Sequence, residues 1–468
     1  MAILRMKAEY CKSEVSEYRG NPLIEALPRI LTVEEVARSV GNYPELPGGE
    51  IALDASVRLH CVHRMLDLVV AIPLHLDLAQ AVSEVLRRGY VGRNPMEVLT
   101  TKHLYSVAAG NEARSGLTST ATSFCLVGLS GMGKTTALKV ILRSYPQVIW
   151  HKKYNSRSFI NAQIVYLYID CPFDGTLKGL CLSFFDAVDE ALGRDHYGEK
   201  YSRKSSVDEM VRGMKKIAST FYLGALFVDE LQHLKRAKTG GSENMLNFFV
   251  NLVNSVGIPI ILIGNNSMLN LFSDQMRNAR RASGLGVYEF ERFDKDDVVW
   301  SYLVDEVWKY QWLPQFLDLS QDVRDALYDL TQGVTDFLVK LMILAQRYAI
   351  QEDIDCLSID ILRRVANDRM KILKPALDAL RSNDYRKISM FEDLLPAEDQ
   401  INSMMAWAPS TSDVLGLLGR SRGSELTISA YSSSSHDDKP RTKEKRINDP
   451  LEDFRARGLV VSDLEEFD

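Results

Sequence analysis

Four short apolar runs punctuate the middle of the chain, at residues 124–127, 164–169, 225–228 and 259–263. Each is continuous rather than alternating, as expected of strands buried on both faces. Between them lie stretches with apolar residues at helical spacing, such as 177–191 and 206–220. This alternation over 111–294 predicts a parallel sheet flanked by helices, an α/β core. The pattern then turns wholly helical, with predicted helices at 296–310, 321–331, 336–348 and 359–371. That predicts an all-α lid subdomain with an extension, over 295–400. Upstream, Thr32-Val33-Glu34-Glu35 reads as a capping box, and residues 51–88 carry helical periodicity broken at Pro73. Residues 1–110 are therefore expected to form a separate helical module for partner or oligomer contacts. After Pro409 the run Ser429-Ala430-Tyr431-Ser432-Ser433-Ser434-Ser435 and the basic segment 439–446 predict a flexible tail over 401–468. Its acidic end, with apolar anchors, suits docking to a partner.

The P-loop changes the picture most. Gly128-Leu129-Ser130-Gly131-Met132-Gly133-Lys134-Thr135 reads G-x-x-x-x-G-K-T, immediately after the first strand and before a helical stretch from Thr136. Glycines let the backbone aim successive N–H groups at phosphate oxygens, and the following helix places its positive end behind them. Gly128, Ser130, Gly131, Met132, Gly133, Lys134, Thr135 and Thr136 are the expected ATP-binding residues. Lys134 reaches the outer phosphates and Thr135 suits Mg²⁺. The third strand ends in Asp229-Glu230, 95 residues beyond Lys134. Asp229 is expected to serve the metal with Thr135, and Glu230 to activate water.

The fourth strand ends in Asn265-Asn266, where AAA+ ATPases carry a polar residue that senses the γ-phosphate; Asn265 fits that role, with Asn266 adjacent. Next come Arg277, Arg280 and Arg281. An arginine here can reach a neighbouring subunit's site and neutralise charge on the transferred phosphoryl group; Arg280 and Arg281 are favoured. Such a finger makes activity depend on an oligomer. Lys340, in Gly333-Val334-Thr335-Asp336-Phe337-Leu338-Val339-Lys340, stands where lids can carry an arginine that contacts phosphate.

The 468 residues, 46% apolar and 25% charged, allow two to three globular domains. No apolar run reaches membrane-span length, and the N-terminus is a poor signal peptide. Six scattered cysteines suit free thiols in a reducing cytoplasm, and His60-Cys61-Val62-His63 lacks the second ligand pair of a zinc site. Net charge is −6, so any nucleic-acid site must be local. One local asymmetry exists: no Asp or Glu occurs from Ala113 to Ile169, while Lys152, Lys153 and Arg157 cluster beyond the P-loop helix. That cluster is either a solvated loop or a second polyanion site.

Several of these motifs together resemble one family. Arg19-Gly20-Asn21-Pro22-Leu23-Ile24-Glu25-Ala26-Leu27-Pro28, the segment from Ile169 to Cys181, Leu226-Phe227-Val228-Asp229-Glu230-Leu231-Gln232, Arg277-Asn278-Ala279-Arg280-Arg281-Ala282-Ser283-Gly284 and Gly333-Val334-Thr335-Asp336 are similar to TnsC/TniB-type AAA+ regulators of Tn7-like transposons, including CRISPR-associated ones. The resemblance covers about residues 18–370. It implies an ATPase that assembles on double-stranded DNA as a ring or helical filament, with about seven subunits per ring or turn. It also implies a link between a TniQ/TnsD-type target selector and a TnsB-type transposase, with or without a TnsA-type endonuclease. Hydrolysis would reset the assembly, in a bacterial cytoplasm and on the nucleoid when DNA-bound. Under that reading Lys152, Lys153, Arg157 and Lys178 line the DNA surface, with Thr176 beside Lys178, through phosphate contacts rather than base readout.

Other classes share the core motifs. A STAND-type signalling ATPase would oligomerise without DNA. A helicase loader would bind single strands, yet neither a helix-turn-helix signature nor an aromatic stacking platform is visible. A metabolic P-loop kinase would need an acceptor site that the sequence does not offer.

Overall fold

In a computed structural model of the chain, the structure describes residues 3–108, 120–202, 204–236, 241–268, 286–396 and 398–405. All of them fall in one compact unit spanning Met1–Ala406. Arg280, Arg281 and Arg277, and nearly all of the expected tail, lie outside the described residues.

The N-terminal part comprises β1 (Arg5–Lys7), α1 (Pro22–Glu25), α2 (Val33–Val40), α3 (Ala55–Cys61), α4 (Pro73–Val91) and α5 (Val98–Ala108). Thr32 caps α2 in the expected capping box with Glu35, and Pro73 opens α4 rather than interrupting a longer helix. The core then runs β2 (Phe124–Gly128), α6 (Lys134–Leu142), β3 (Val148–Tyr154), β4 (Arg157–Ile164), β5 (Tyr166–Asp170), α7 (Leu177–Leu192), α8 (Tyr197–Lys200), α9 (Val207–Thr220), β6 (Ala225–Asp229), α10 (Gly241–Val256), β7 (Ile260–Gly264) and β8 (Val287–Phe290). Lid and extension follow as α11 (Val298–Trp308), α12 (Gln321–Thr331), α13 (Thr335–Gln351), α14 (Ile359–Arg369), α15 (Lys374–Arg381), α16 (Tyr385–Ile388), α17 (Phe391–Leu394) and α18 (Glu398–Met405).

Five strands form an all-parallel sheet in the order β5-β6-β7-β2-β8. The strands β2, β6 and β7 are buried along their whole length, which explains their continuous apolar sequences. The chain leaves β2 for the far edge at β5 and returns strand by strand, so β2 stands where the strand order reverses. The crevice beyond the carboxyl ends of such strands is where ligands bind in open α/β sheets. The fold is thus an AAA+ P-loop fold, a parallel sheet flanked by helices and followed by an all-α lid.

The structure departs from the sequence reading in four places. The basic cluster, open between a solvated loop and a polyanion site, lies on a hairpin rather than a loop: β3 and β4 pair antiparallel around Asn155 and Ser156, both at positive φ. Asn tolerates that left-handed turn better than most residues, and the flanking Val148, Ile149, Trp150, Phe159 and Ile160 favour strands. The expected strand at 164–169 is in fact the end of β4 and the whole body of β5, parted at Val165. Third, residues 1–110 are joined to the core rather than set apart. β1 pairs in parallel with β3, and one hydrophobic core takes in Leu23, Leu86 and Tyr90 with Phe124, Phe227, Trp312 and Leu341. The tail boundary also moves, because α18 carries ordered helix through Met405.

The run at residues 21–28 does the joining. Asn21 caps α1 through its side-chain oxygen on the Leu23 N–H and donates from its amide to Tyr90 O (2.8 Å). Leu23, Ile24 and Leu27 are buried, and Glu25 accepts from the Tyr154 hydroxyl (2.6 Å) and the Gly20 N–H (3.0 Å). Gln163 donates to Leu23 O (2.9 Å) and also meets His151 Nε2 (2.9 Å), while His151 Nδ1 meets the Tyr10 hydroxyl (2.8 Å). Burial pushes His151 down to about 4.

Candidate nucleotide site

The P-loop owes its shape to its glycines. Gly128 sits at φ +151°, where an added Cβ would fall 2.1 Å from the Phe290 carbonyl oxygen. Gly133 caps α6 at φ 85°, in the left-handed region that ordinary residues avoid. The loop therefore ends at a helix N-terminus with N–H groups facing the crevice, a ready anion site. Lys134 Nζ donates to the carbonyls of Gly128 (2.8 Å) and Leu129 (2.9 Å). Burial lowers its pKa, partly offset by the carboxylates of Glu392, Asp229 and Glu230.

The Thr135 hydroxyl donates to Asp229 Oδ2 (2.7 Å), across from β6. Asp229 is buried, and the same oxygen also accepts from the Tyr168 hydroxyl. Burial and the Asp229 charge push the Tyr168 phenol upward, so it stays a donor. Thr135 and Asp229 present two hard oxygens beside the phosphate cradle. That suits Mg²⁺, which takes few protein ligands and completes its shell with waters and phosphates. Among the described residues no cluster of three or more side chains forms a self-sufficient metal cage.

Glu230 follows at φ 56°, in the left-handed region, a strained position for a glutamate. Desolvation and then the Asp229 charge raise its carboxyl pKa, the direction a general base needs. Gln232 donates to Glu230 Oε2, and its own amide oxygen accepts from the Asn265 N–H (3.3 Å). An added Cβ on Gly264 would lie 2.9 Å from that amide oxygen. One glutamine thus ties the end of β6 to the end of β7.

Lys134, Thr135, Asp229, Glu230 and Gln232 line one cavity of about 800 Å³, together with Ser130, Gly131, Met132, Gly133, Thr136, Asn265 and His233. Its far walls come from Met65, Leu68, Val70, Ile72 and His75, from the lid through Leu303, Val307, Thr335, Asp336 and Val339, and from Glu392, Leu395 and Ile401. The Asp336 N–H donates to Gly131 O (3.0 Å), so the start of α13 rests on the P-loop. Lys340, the lid position singled out above, is ion-paired with Asp336. His75 packs face-on against Phe290 (6.1 Å), is held down to about 4 by burial, and leaves Nδ1 without a hydrogen-bond partner. Gln232 stands in the sequence only as the end of the Leu226–Gln232 run, with no role of its own. Tyr168, His75 and Glu392 carry no local motif, and tertiary folding alone brings them to the loop.

The basic set falls into two places. Lys152, Lys153 and Arg157 are exposed on the hairpin, with Trp150 43% and Ile160 80% exposed. Thr176 caps α7, accepting from the Gly179 N–H (3.1 Å) and donating to Asp174 (2.9 Å), with Lys178 in the first turn. The hairpin feeds the start of β5 and α7 follows its end, so the two groups attach to opposite ends of that strand. Among the described residues no helix is long and apolar enough to cross a membrane, and all six cysteines are free.

The AAA domain family matches residues 117–272, the segment from the P-loop strand through Asn265. No curated protein matches the chain. Among solved structures, the Walker-type ATPase PABY2304 of Pyrococcus abyssi is 18% identical, covering 60% of this chain and 82% of that one, with a TM-score of 0.33. The Aeropyrum pernix ORC1 protein in complex with DNA is 14% identical, covering 75% and 83%, with a TM-score of 0.39. The Thermotoga maritima RuvB Holliday junction branch migration motor is 13% identical, covering 66% and 93%, with a TM-score of 0.32. The family match and the site geometry agree: the chain carries an AAA domain and is an ATP-hydrolysing P-loop enzyme.

Proposed function

We propose that this ATPase is a regulator of DNA transposition that oligomerises on double-stranded target DNA. It links a TniQ/TnsD-type selector to a TnsB-type transposase, with or without a TnsA-type partner, and ATP hydrolysis disassembles the complex. The observation that carries the reading is the hairpin β3–β4. It presents Lys152, Lys153 and Arg157 to solvent beside an exposed Trp150, on a chain whose net charge is −6. A cationic patch that stands out against an acidic chain suits phosphate contacts that hold a duplex without reading its sequence. Thr176 and Lys178 extend the same proposal, as does the likeness of residues 18–370 to transposition regulators.

Within the site, ATP binds the residues from Gly128 to Thr136, and Thr135 with Asp229 would hold Mg²⁺, which would supply charge neutralisation at the phosphates. Glu230 takes a proton from the attacking water and Asn265 orients the terminal phosphate. Arg280 or Arg281 completes a neighbouring subunit's site.

The test is fluorescence anisotropy of a labelled duplex with the full chain and a non-hydrolysable ATP analogue. Nucleotide-dependent binding is expected, weakened at least tenfold by Lys152→Ala/Lys153→Ala and flattened in its salt dependence. Preference for single strands would favour a helicase loader. Nucleotide-dependent oligomers indifferent to DNA would favour a signalling switch.

A further inference from the structure

The carboxylate of Glu392 lies on the phosphate loop. Its Oε1 accepts from the Ser130 N–H (2.8 Å) and its Oε2 from the Ser130 hydroxyl (2.6 Å). Charge-assisted bonds to an N–H at this loop are the kind a phosphate oxygen would make. Glu392 also acts electrostatically on Lys134, the residue that reaches the outer phosphates of a bound nucleotide.

The carboxylate is delivered by a built support. Phe391, the residue before it, is fully buried and packs against Phe337 of α13, with ring centroids 6.4 Å apart. Leu395 and Ile401, which follow it, line the nucleotide cavity. Arg347 of the same lid helix donates to Met405 O (2.6 Å) and ties down the end of α18. The extension is therefore fastened to the lid on both sides of Glu392.

We propose that Glu392 is a chain-borne competitor for the terminal phosphate and sets the enzyme's discrimination between ATP and ADP. Two anions cannot share the Ser130 corner of a partly buried loop without strong repulsion. ATP must therefore move Glu392 off Ser130, and α17 with it, whereas ADP leaves that corner to the carboxylate. The apparent affinity for ATP is lowered by the fraction of molecules in which Glu392 is docked. ATP binding is thereby coupled to the position of the α16–α18 extension. This inference concerns the ATPase site alone and stands whether or not the protein binds DNA.

The experiment is a titration of the full chain with fluorescent AMP-PNP and ADP, for the wild type, Glu392→Gln and Glu392→Ala. Both variants are expected to bind AMP-PNP about tenfold tighter and ADP within about threefold of the wild type. In parallel, hydrogen exchange of residues 385–405 in the wild type is expected to rise with AMP-PNP and not with ADP. The proposal is overturned if both nucleotides shift equally or neither shifts. It is overturned too if AMP-PNP binding weakens, which would make Glu392 a nucleotide contact, or if exchange is the same with the two nucleotides. Should Glu392→Ala fail to fold, Glu392→Gln and the wild-type exchange still decide it.

Discussion

At the residue scale the site separates into groups written in local motifs and groups assembled by the fold. Gly128, Lys134, Thr135 and Asp229 are legible because phosphate chemistry demands those residue types at fixed spacing, and the structure joins Thr135 to Asp229 at 2.7 Å. Tyr168 is invisible in the sequence and Gln232 shows there only as part of a motif, without its role, since any tyrosine on a strand or any glutamine after an acidic pair looks ordinary. Yet they fix the two carboxylates between them. Replacing Glu230 by Gln is expected to lower kcat about 10²–10⁴-fold while ATP still binds, as read by steady-state ATPase and nucleotide titration. Burial and Asp229 raise the Glu230 carboxyl, so it holds its proton to higher pH than an ordinary glutamate. The acid limb of the kcat/KM profile should therefore lie above the usual carboxylate range, with activity rising as pH climbs through it. A limb at ordinary carboxylate pH would contradict the role of Glu230 as base.

At the scale of elements, helices were easier to read than the second sheet. The predicted helix at 321–331 coincides with α12, since its Ser320 cap and apolar spacing are local signals. The hairpin β3–β4 is not legible in the sequence because Asn155-Ser156 is a weak turn signal without glycine and the basic residues around it suit a solvated loop equally well. What holds it is the clamp to residues 10–25, contacts between positions far apart in sequence. Tyr154→Phe should destabilise the fold by about 1–3 kcal/mol, because it strips a partner from the buried Glu25 carboxylate. Urea denaturation measures this. His151 stays neutral in the fold, with its pKa down at about 4, whereas the unfolded chain takes up a proton near 6.5. Its stabilising contribution is thus present above about pH 6.5 and is lost as pH falls toward 4, at up to about 1.4 kcal/mol per pH unit. The urea midpoint should fall between pH 7 and pH 5, and His151→Asn should flatten that fall while lowering the starting value.

At the scale of the whole molecule, the sheet order puts the P-loop strand β2 at the reversal point, and the lid and extension close the crevice from the other side. That closure could not be read from composition, because residues 385–405 carry no motif and matter only through where they dock. The alternation that predicted the α/β core succeeded for the opposite reason: strands buried on both faces must be apolar throughout. We propose that nucleotide and duplex together drive assembly through this ATPase core. Electron microscopy of the full chain with a short duplex, with and without a non-hydrolysable ATP analogue, decides the matter. Rings or filaments that appear only when both ligands are present, and that Lys152→Ala/Lys153→Ala abolishes, are the predicted result. Oligomers that form with nucleotide alone and leave the duplex free would contradict it.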